Sequence, residues 1–167
     1  MHYKGHRKGF TLIEILVVVG IIALLTAVAY VAFGGTLRKS RDTKRKYDLA
    51  QIGRFVVSSE CYVPNAGAGD YDLKDLASEL SVKYPPFAQL VKSLPKDPKI
   101  GNESVSGYRY VVSDDMQHCA MYANLENEKE PITLAGINAP TAGAGTGVLQ
   151  AAHPGPNNTA IYYQIGK

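Results

Sequence analysis

Ile15-Leu-Val-Val-Val-Gly-Ile-Ile-Ala-Leu-Leu-Thr-Ala-Val-Ala-Tyr-Val-Ala-Phe-Gly-Gly-Thr-Leu37 is a run of 23 residues without a charge. As an α-helix it would extend about 35 Å at roughly 1.5 Å per residue, enough to cross a hydrocarbon core of about 30 Å. A helix that is apolar on every face needs either a membrane or the centre of a large protein around it. The whole chain has 167 residues, room for one modest domain plus an extension. Such a domain is too small to hide the run, so the sequence reads as an apolar N-terminal helix joined to a small head.

Charge is segregated around this run. The net charge of +3 comes from 18 basic and 15 acidic residues. Lys4, Arg7 and Lys8 supply three of the positive charges, and without the first nine residues the chain is neutral. Just after the run, Arg38, Lys39, Arg41, Lys44, Arg45 and Lys46 are opposed locally only by Asp42, a local charge of +5. From Tyr47 onward 9 basic residues face 13 acidic ones, a net of −4. A basic neck between an apolar rod and a mildly acidic head suits a membrane surface better than a nucleic-acid groove. A solvated charged face is the plainer reading of the same neck. No aromatic residues interleave with the basic ones, so no specific nucleic-acid partner is expected.

Two targeting readings compete. A secretory signal would use the basic start, the apolar middle and a cut after Ala29 in Ala27-Val28-Ala29. A retained anchor would keep the apolar run, and Glu14 discriminates between them. A carboxylate beside an apolar span costs about 2.5–3.5 kcal/mol at the membrane centre and is by default a functional residue. Lys8-Gly9-Phe10-Thr11-Leu12-Ile13-Glu14, with its basic leader and the apolar run behind it, resembles a type IV prepilin or pseudopilin signal.

The resemblance implies cleavage between Gly9 and Phe10 by a prepilin peptidase, methylation of the Phe10 amine, and extraction from the membrane into a helical filament. Gly9 leaves the backbone open to a protease. The freed Phe10 amine is cationic and Glu14 lies one helical turn away, so the two could neutralise each other in an apolar setting. That pairing, within a subunit or between neighbours, makes Glu14 the expected assembly residue. The positive-inside count runs the other way, three basic residues before the span and six after it. Segments followed by long domains translocate largely regardless of that count.

Helical spacing continues past the run. Leu49, Ile52, Phe55 and Val56 form a stripe, and no Pro occurs before Pro64. A helix from Phe10 to about Glu60 would reach roughly 75 Å, with the Leu49–Val56 stripe laid on a sheet. The resembled family carries a Pro in mid-rod, where this chain has Gly34-Gly35. Two readings stand for that pair, loosening of the helix within a filament or close helix packing in the membrane. The expected fold class is α+β, a long N-terminal helix of pilin type on a small antiparallel sheet. The expected parts are a leader (1–9), a membrane and filament-core helix (10–37), an amphipathic half (38–62) and a head (63–167).

In the head, Asp72 reads as an N-cap for a short helix bearing Leu73, Leu76, Ala77 and Leu80. Phe87 to Leu94 reads as a further turn or two, and Leu94-Pro95-Lys96-Asp97-Pro98 as a rigid break. Tyr108–Val112 and Cys119–Leu125 read as a hairpin around Ser113-Asp114-Asp115. Thr141–Gly147 reads as a flexible surface loop and Thr159–Ile165 as the last strand. Leu-Pro-Lys-Asp-Pro followed by the two aromatic strands is similar to small pilin and major-pseudopilin heads.

Candidate sites beyond the N-terminus are few. Cys61 and Cys119 would pair if the head is exported, and would otherwise be buried thiols. Asp114, Asp115, Asn124 and Glu126 offer oxygens of the kind that calcium takes in some major pseudopilin heads. They match no EF-hand spacing, so ordinary surface chemistry is expected and no metal or cofactor is assigned. Asn102-Glu103-Ser104 and Asn157-Asn158-Thr159 fit a glycosylation sequon of the kind that arises by chance. His2 and His6 lie in the leader, His118 and His153 have no partner pattern, and no catalytic motif is present. A non-enzymatic subunit is therefore expected.

The expected partners are further copies of the chain, a prepilin peptidase and methylase, an assembly platform, and the inner membrane before assembly. The destination would be an extracellular pilus or a periplasmic pseudopilus. A pilus subunit, a DNA-uptake role and a type II secretion major pseudopilin share these residues. A secreted binding domain cut after Ala29 is the alternative from another class, and an anchored enzyme has no supporting motif.

Overall fold

The structure, a computed structural model, describes residues 9–57 and 60–167. The basic leader residues Lys4, Arg7 and Lys8, with His2 and His6, lie outside the described residues. The elements are α1 (Leu12–Val56), β1 (Gly69–Asp72), α2 (Leu73–Lys83), α3 (Phe87–Val91), β2 (Arg109–Val112), β3 (Cys119–Asn124), β4 (Gly147–Gln150) and β5 (Ile161–Gly166). The strands form one antiparallel sheet in the order β1-β2-β3-β5-β4. This is an α+β arrangement. The chain divides into two compact units, Met1–Leu37 and Arg38–Lys167, and α1 contributes to both.

In the first unit, Leu12–Tyr30 has a mean hydropathy of 2.8, and none of it is buried. Leu12, Leu24, Leu25 and Val28 are each more than three-fifths exposed. The hydroxyl of Thr26 donates to the Ile22 carbonyl at 2.7 Å, which satisfies this donor inside its own helix. The backbone remains helical at Gly34 and Gly35, and a Cβ at either would meet nothing within 4 Å.

In the second unit, one stripe of α1 is buried: Asp42, Arg45, Asp48, Leu49, Ile52 and Val56. The spacing is helical throughout, but the chemistry changes along it, ionic first and apolar after Asp48. The apolar part packs with Leu73, Leu76 and Leu80 of α2, Phe87 of α3, and Tyr108, Tyr110, Val112 and Met121 from the sheet side. β2 alternates as its sequence expects, with Tyr110 and Val112 inward. The hairpin pairs Arg109 with Tyr122 and Val112 with Cys119. Asp72 caps α2 by accepting from the Lys74 N–H at 2.8 Å.

Three expectations need correction. α1 ends at Val56 rather than near Glu60. The Tyr62 N–H folds back on the Val56 carbonyl at 3.0 Å, and the Tyr110 hydroxyl reaches the carbonyls of Val56 at 3.0 Å and Tyr62 at 2.7 Å. The Val56 carbonyl at the helix end is thus met by a fold-back of the chain and by a strand hydroxyl 54 residues away. Thr141–Gly147 is not a free loop. Gln164, wholly buried, donates to the carbonyls of Gly145 at 2.8 Å and Thr141 at 3.2 Å, and accepts from the Thr141 N–H at 3.0 Å. Finally, β1 and β4 did not read as strands, since Gly-Asp-Tyr-Asp and Gly-Val-Leu-Gln are four residues long and have no clear alternation.

Cys61 is bonded to Cys119, with Cα atoms 5.8 Å apart and a sequence separation of 58. The bond ties the chain just beyond α1 to the start of β3. A loop of this length constrains the unfolded chain by about 4 kcal/mol in the chain-entropy picture. Reduction should therefore lower the urea midpoint of the detergent-solubilised chain by the equivalent of about 2–5 kcal/mol. An unchanged midpoint after confirmed reduction would remove the bond from the stability of the head.

Candidate functional site

The N-terminal segment is built around a helix start. Gly9, Phe10 and Thr11 are non-helical and exposed, Phe10 by 84 %, and a Cβ at Gly9 would meet nothing within 4 Å. The Gly9–Phe10 peptide bond thus lies outside the helix, in the accessible form that a protease needs. α1 begins one residue after Thr11, which acts as its N-cap. The Thr11 N–H and hydroxyl donate to Glu14 Oε2 at 2.8 and 2.7 Å, and the Glu14 N–H donates to Thr11 Oγ1 at 3.3 Å. This is a capping box, and the Thr-x-x-Glu spacing before an apolar run was its sequence signal. Reading Glu14 only as a charge partner missed it.

A second cluster lies in the head, on the basic neck. Arg45 is fully buried. Its guanidinium grips Asp97 with two hydrogen bonds, Nε to Oδ2 at 2.7 Å and Nη2 to Oδ1 at 2.9 Å. Nη1 lies 2.7 Å from Asp42 Oδ1 and 2.8 Å from Glu126 Oε1. Arg41 holds Glu126 through Nε at 2.7 Å and Nη2 at 2.6 Å. The carboxylates are also fixed by backbone donors. Asp42 accepts from the N–H groups of Glu126 at 2.9 Å and Asn127 at 2.9 Å, and Asp97 from Lys99 at 2.8 Å and Ile100 at 3.1 Å. Further along the neck Lys44 pairs with Asp48, which also accepts from the Tyr108 hydroxyl at 2.7 Å. Lys46 pairs with Glu130.

For Arg41, Lys44, Arg45 and Lys46 this overturns the reading of the neck as a solvated or lipid-facing charge run. Four of its six cations are paired to head carboxylates or to Asp48. Asp97, read from sequence only as part of a rigid break, is the deepest acid of the cluster. Glu126, considered as a calcium oxygen, is committed to Arg41 and Arg45. Of the other three, Asn124 is tied to Thr159 and Ile161 carbonyls, and Asp115 to Ser113 and His118. No group of three or more metal-binding side chains occurs among the described residues. Asn157 is buried with its amide donating to the Asn124 carbonyl, so the second sequon is closed to modification in the folded head.

The cluster shifts its members' protonation. Hydrogen bonds from Arg41 first, then Arg45, pull the Glu126 carboxyl down to about 2 against the cost of its burial. Burial pushes Asp97 up, but Arg45 and the backbone N–H groups bring it below the usual carboxylate range. Burial likewise works against the charge on Arg45, and Asp97, Glu126 and Asp42 more than offset it.

Residues 4–30 match the family model of the prokaryotic N-terminal methylation motif. That motif is the type IV pilin and pseudopilin signature, and this chain carries it over the capped helix start and the apolar span. Pilins and pseudopilins are structural rather than catalytic proteins, processed by a prepilin peptidase and assembled as oligomeric filaments. The motif and the apolar helix fit a membrane-anchored precursor that is later assembled. No curated protein and no solved structure matches the chain.

Two outcomes test the cluster. Arg45→Met leaves Asp42, Asp97 and Glu126 facing one another in the dry interior, and should cost about 3–5 kcal/mol of unfolding free energy in urea. Lys44→Ala, whose side chain is half exposed, should cost less than about 1 kcal/mol. Equal losses would show that Arg45 carries no special burden. For acid, the sign follows from the depressed Glu126 and Asp97 values. Between the ordinary carboxylate range and about 2 the unfolded chain binds protons that the folded chain does not. Stability should be complete above about pH 5 and fall steadily toward pH 2, by roughly 3 kcal/mol from Glu126 alone. A urea midpoint flat between pH 5 and pH 2.5 would contradict this.

Proposed function

We propose that the chain is the precursor of a non-catalytic filament subunit, cleaved between Gly9 and Phe10, methylated at Phe10 and polymerised through its apolar helix. The single observation that carries this reading is the juxtaposition within residues 4–30 of an exposed, non-helical Gly9–Phe10 bond and a capped, wholly unburied apolar helix. An accessible peptide bond suits a protease, and an apolar helix without a cover suits first a bilayer and then neighbouring copies.

Glu14 serves in both states on this reading. In the uncleaved chain its carboxylate accepts from Thr11. A carboxylate has about four lone-pair sites, so it can keep that cap and also take the ammonium that cleavage creates at Phe10. Neutralising the pair makes burial among other helices tolerable, whereas either charge alone would oppose it. Export to an oxidising compartment agrees with the Cys61–Cys119 bond.

Mass spectrometry of the mature chain provides the test. The expected product begins at Phe10 and carries one methyl group on its amine. A product beginning at Tyr30 would instead identify a secreted head cut after Ala29 and end the filament reading.

A further inference from the structure

Beside the ion cluster the head has a cleft of ≈ 330 Å³, lined among others by Arg38, Arg41, Lys99, Glu126, Glu128 and Asn157. This is the lower end of the size range of small-ligand sites, about 300–1,000 Å³. Asn157 is 4 % exposed. Its Oδ1 is the one buried side-chain polar atom that accepts no hydrogen bond among the described residues. Its orientation is fixed, because Nδ2 donates to the Asn124 carbonyl at 2.8 Å and a flipped amide would set two oxygens together. A buried acceptor held in this way, without a donor, marks a place for one.

The rim supplies two kinds of charge. Arg38 is exposed and makes no ion pair among the described residues. Lys99 stands 3.8 Å from a Glu126 carboxylate already gripped by Arg41 and Arg45. Both can take an anionic group. Glu128 is exposed and likewise has no cation partner among the described residues. A simple anion would be repelled by Glu128 and would leave Asn157 without a donor. A simple cation would be repelled by Arg38 and Lys99. We propose that this cleft binds a phosphodiester head group that carries a primary ammonium. The phosphate meets Arg38 and Lys99, and the ammonium donates to Asn157 Oδ1 and Glu128.

Such a group comes from an ethanolamine phospholipid or from a soluble ethanolamine phosphate ester. The lipid source rests on the anchored-precursor reading above, because Arg38 directly follows the 23 uncharged residues that would span the bilayer. The head-group chemistry stands independently of it.

The full-length chain in maltoside micelles, labelled with ¹⁵N, can be titrated with glycerophosphoethanolamine and with glycerophosphocholine, whose quaternary ammonium has no N–H. The ethanolamine ester should shift the Asn157 side-chain amide and the choline ester should not. The Arg38→Ala/Glu128→Gln double variant alters two exposed side chains and should keep the spectrum of the core, but bind about tenfold more weakly. No shift, or equal shifts with both esters, would mean that solvent alone meets the acceptor and would overturn the proposal. Native mass spectrometry from nanodiscs then separates the sources. One retained ethanolamine lipid per chain assigns the lipid, and none, with the soluble ester still bound, rejects it. Processing at Phe10 is read separately, so failure here and failure of the filament reading remain distinct.

Discussion

A guanidinium with no access to water has to be surrounded by acids, and Arg45 is so placed. Its partners come from three parts of the chain: Asp42 on its own helix, Asp97 in the Pro-flanked turn, and Glu126 just after β3. None of these groups could remain charged in the interior without the others. The cluster therefore fixes how α1 is rotated against the head, since turning the helix by one residue, about 100°, would carry the guanidinium away from Asp97 and Glu126. The apolar stripe that follows then enters the core in register. A buried ionic cluster is weak evidence for raw stability, and its role here is better described as setting position.

The same arrangement explains why the turn holding Asp97 is so closely built. Asp97 takes two backbone N–H groups as well as Arg45. Gly107 adopts a φ of +80°, and a Cβ there would come within 2.8 Å of the Asp97 Cβ. The absence of a side chain at this position lets the strand entry pass over the turn. Asp72 ties the same corner by accepting from the Ser106 and Gly107 N–H groups while capping α2.

In the N-terminal unit the constraint is the opposite one. The apolar span is unburied from Leu12 to Tyr30, and two of its polar side chains are met locally, Thr26 on Ile22 and Glu14 on Thr11. An apolar helix of this length fits a membrane-anchored precursor that is later assembled.

The apolar run, the N-terminal methylation motif, the cap at Asp72 and the β2–β3 hairpin were legible in the sequence. Each is a local pattern, written within one turn of helix or along one strand. β1 and β4 were not, because strands of four residues acquire their identity from neighbours rather than from alternation. The capping box at Thr11 was legible and was passed over. The neck could not be read correctly from composition. Six basic residues in nine look the same whether water or carboxylates face them, and those carboxylates lie roughly 50 to 85 residues further along. Sequence alone determined the N-terminal methylation motif and the membrane length of the apolar helix, because both are local properties. Only the tertiary structure decided which charges are buried, where α1 stops and which atoms line the cleft, because each of these depends on partners brought together by folding.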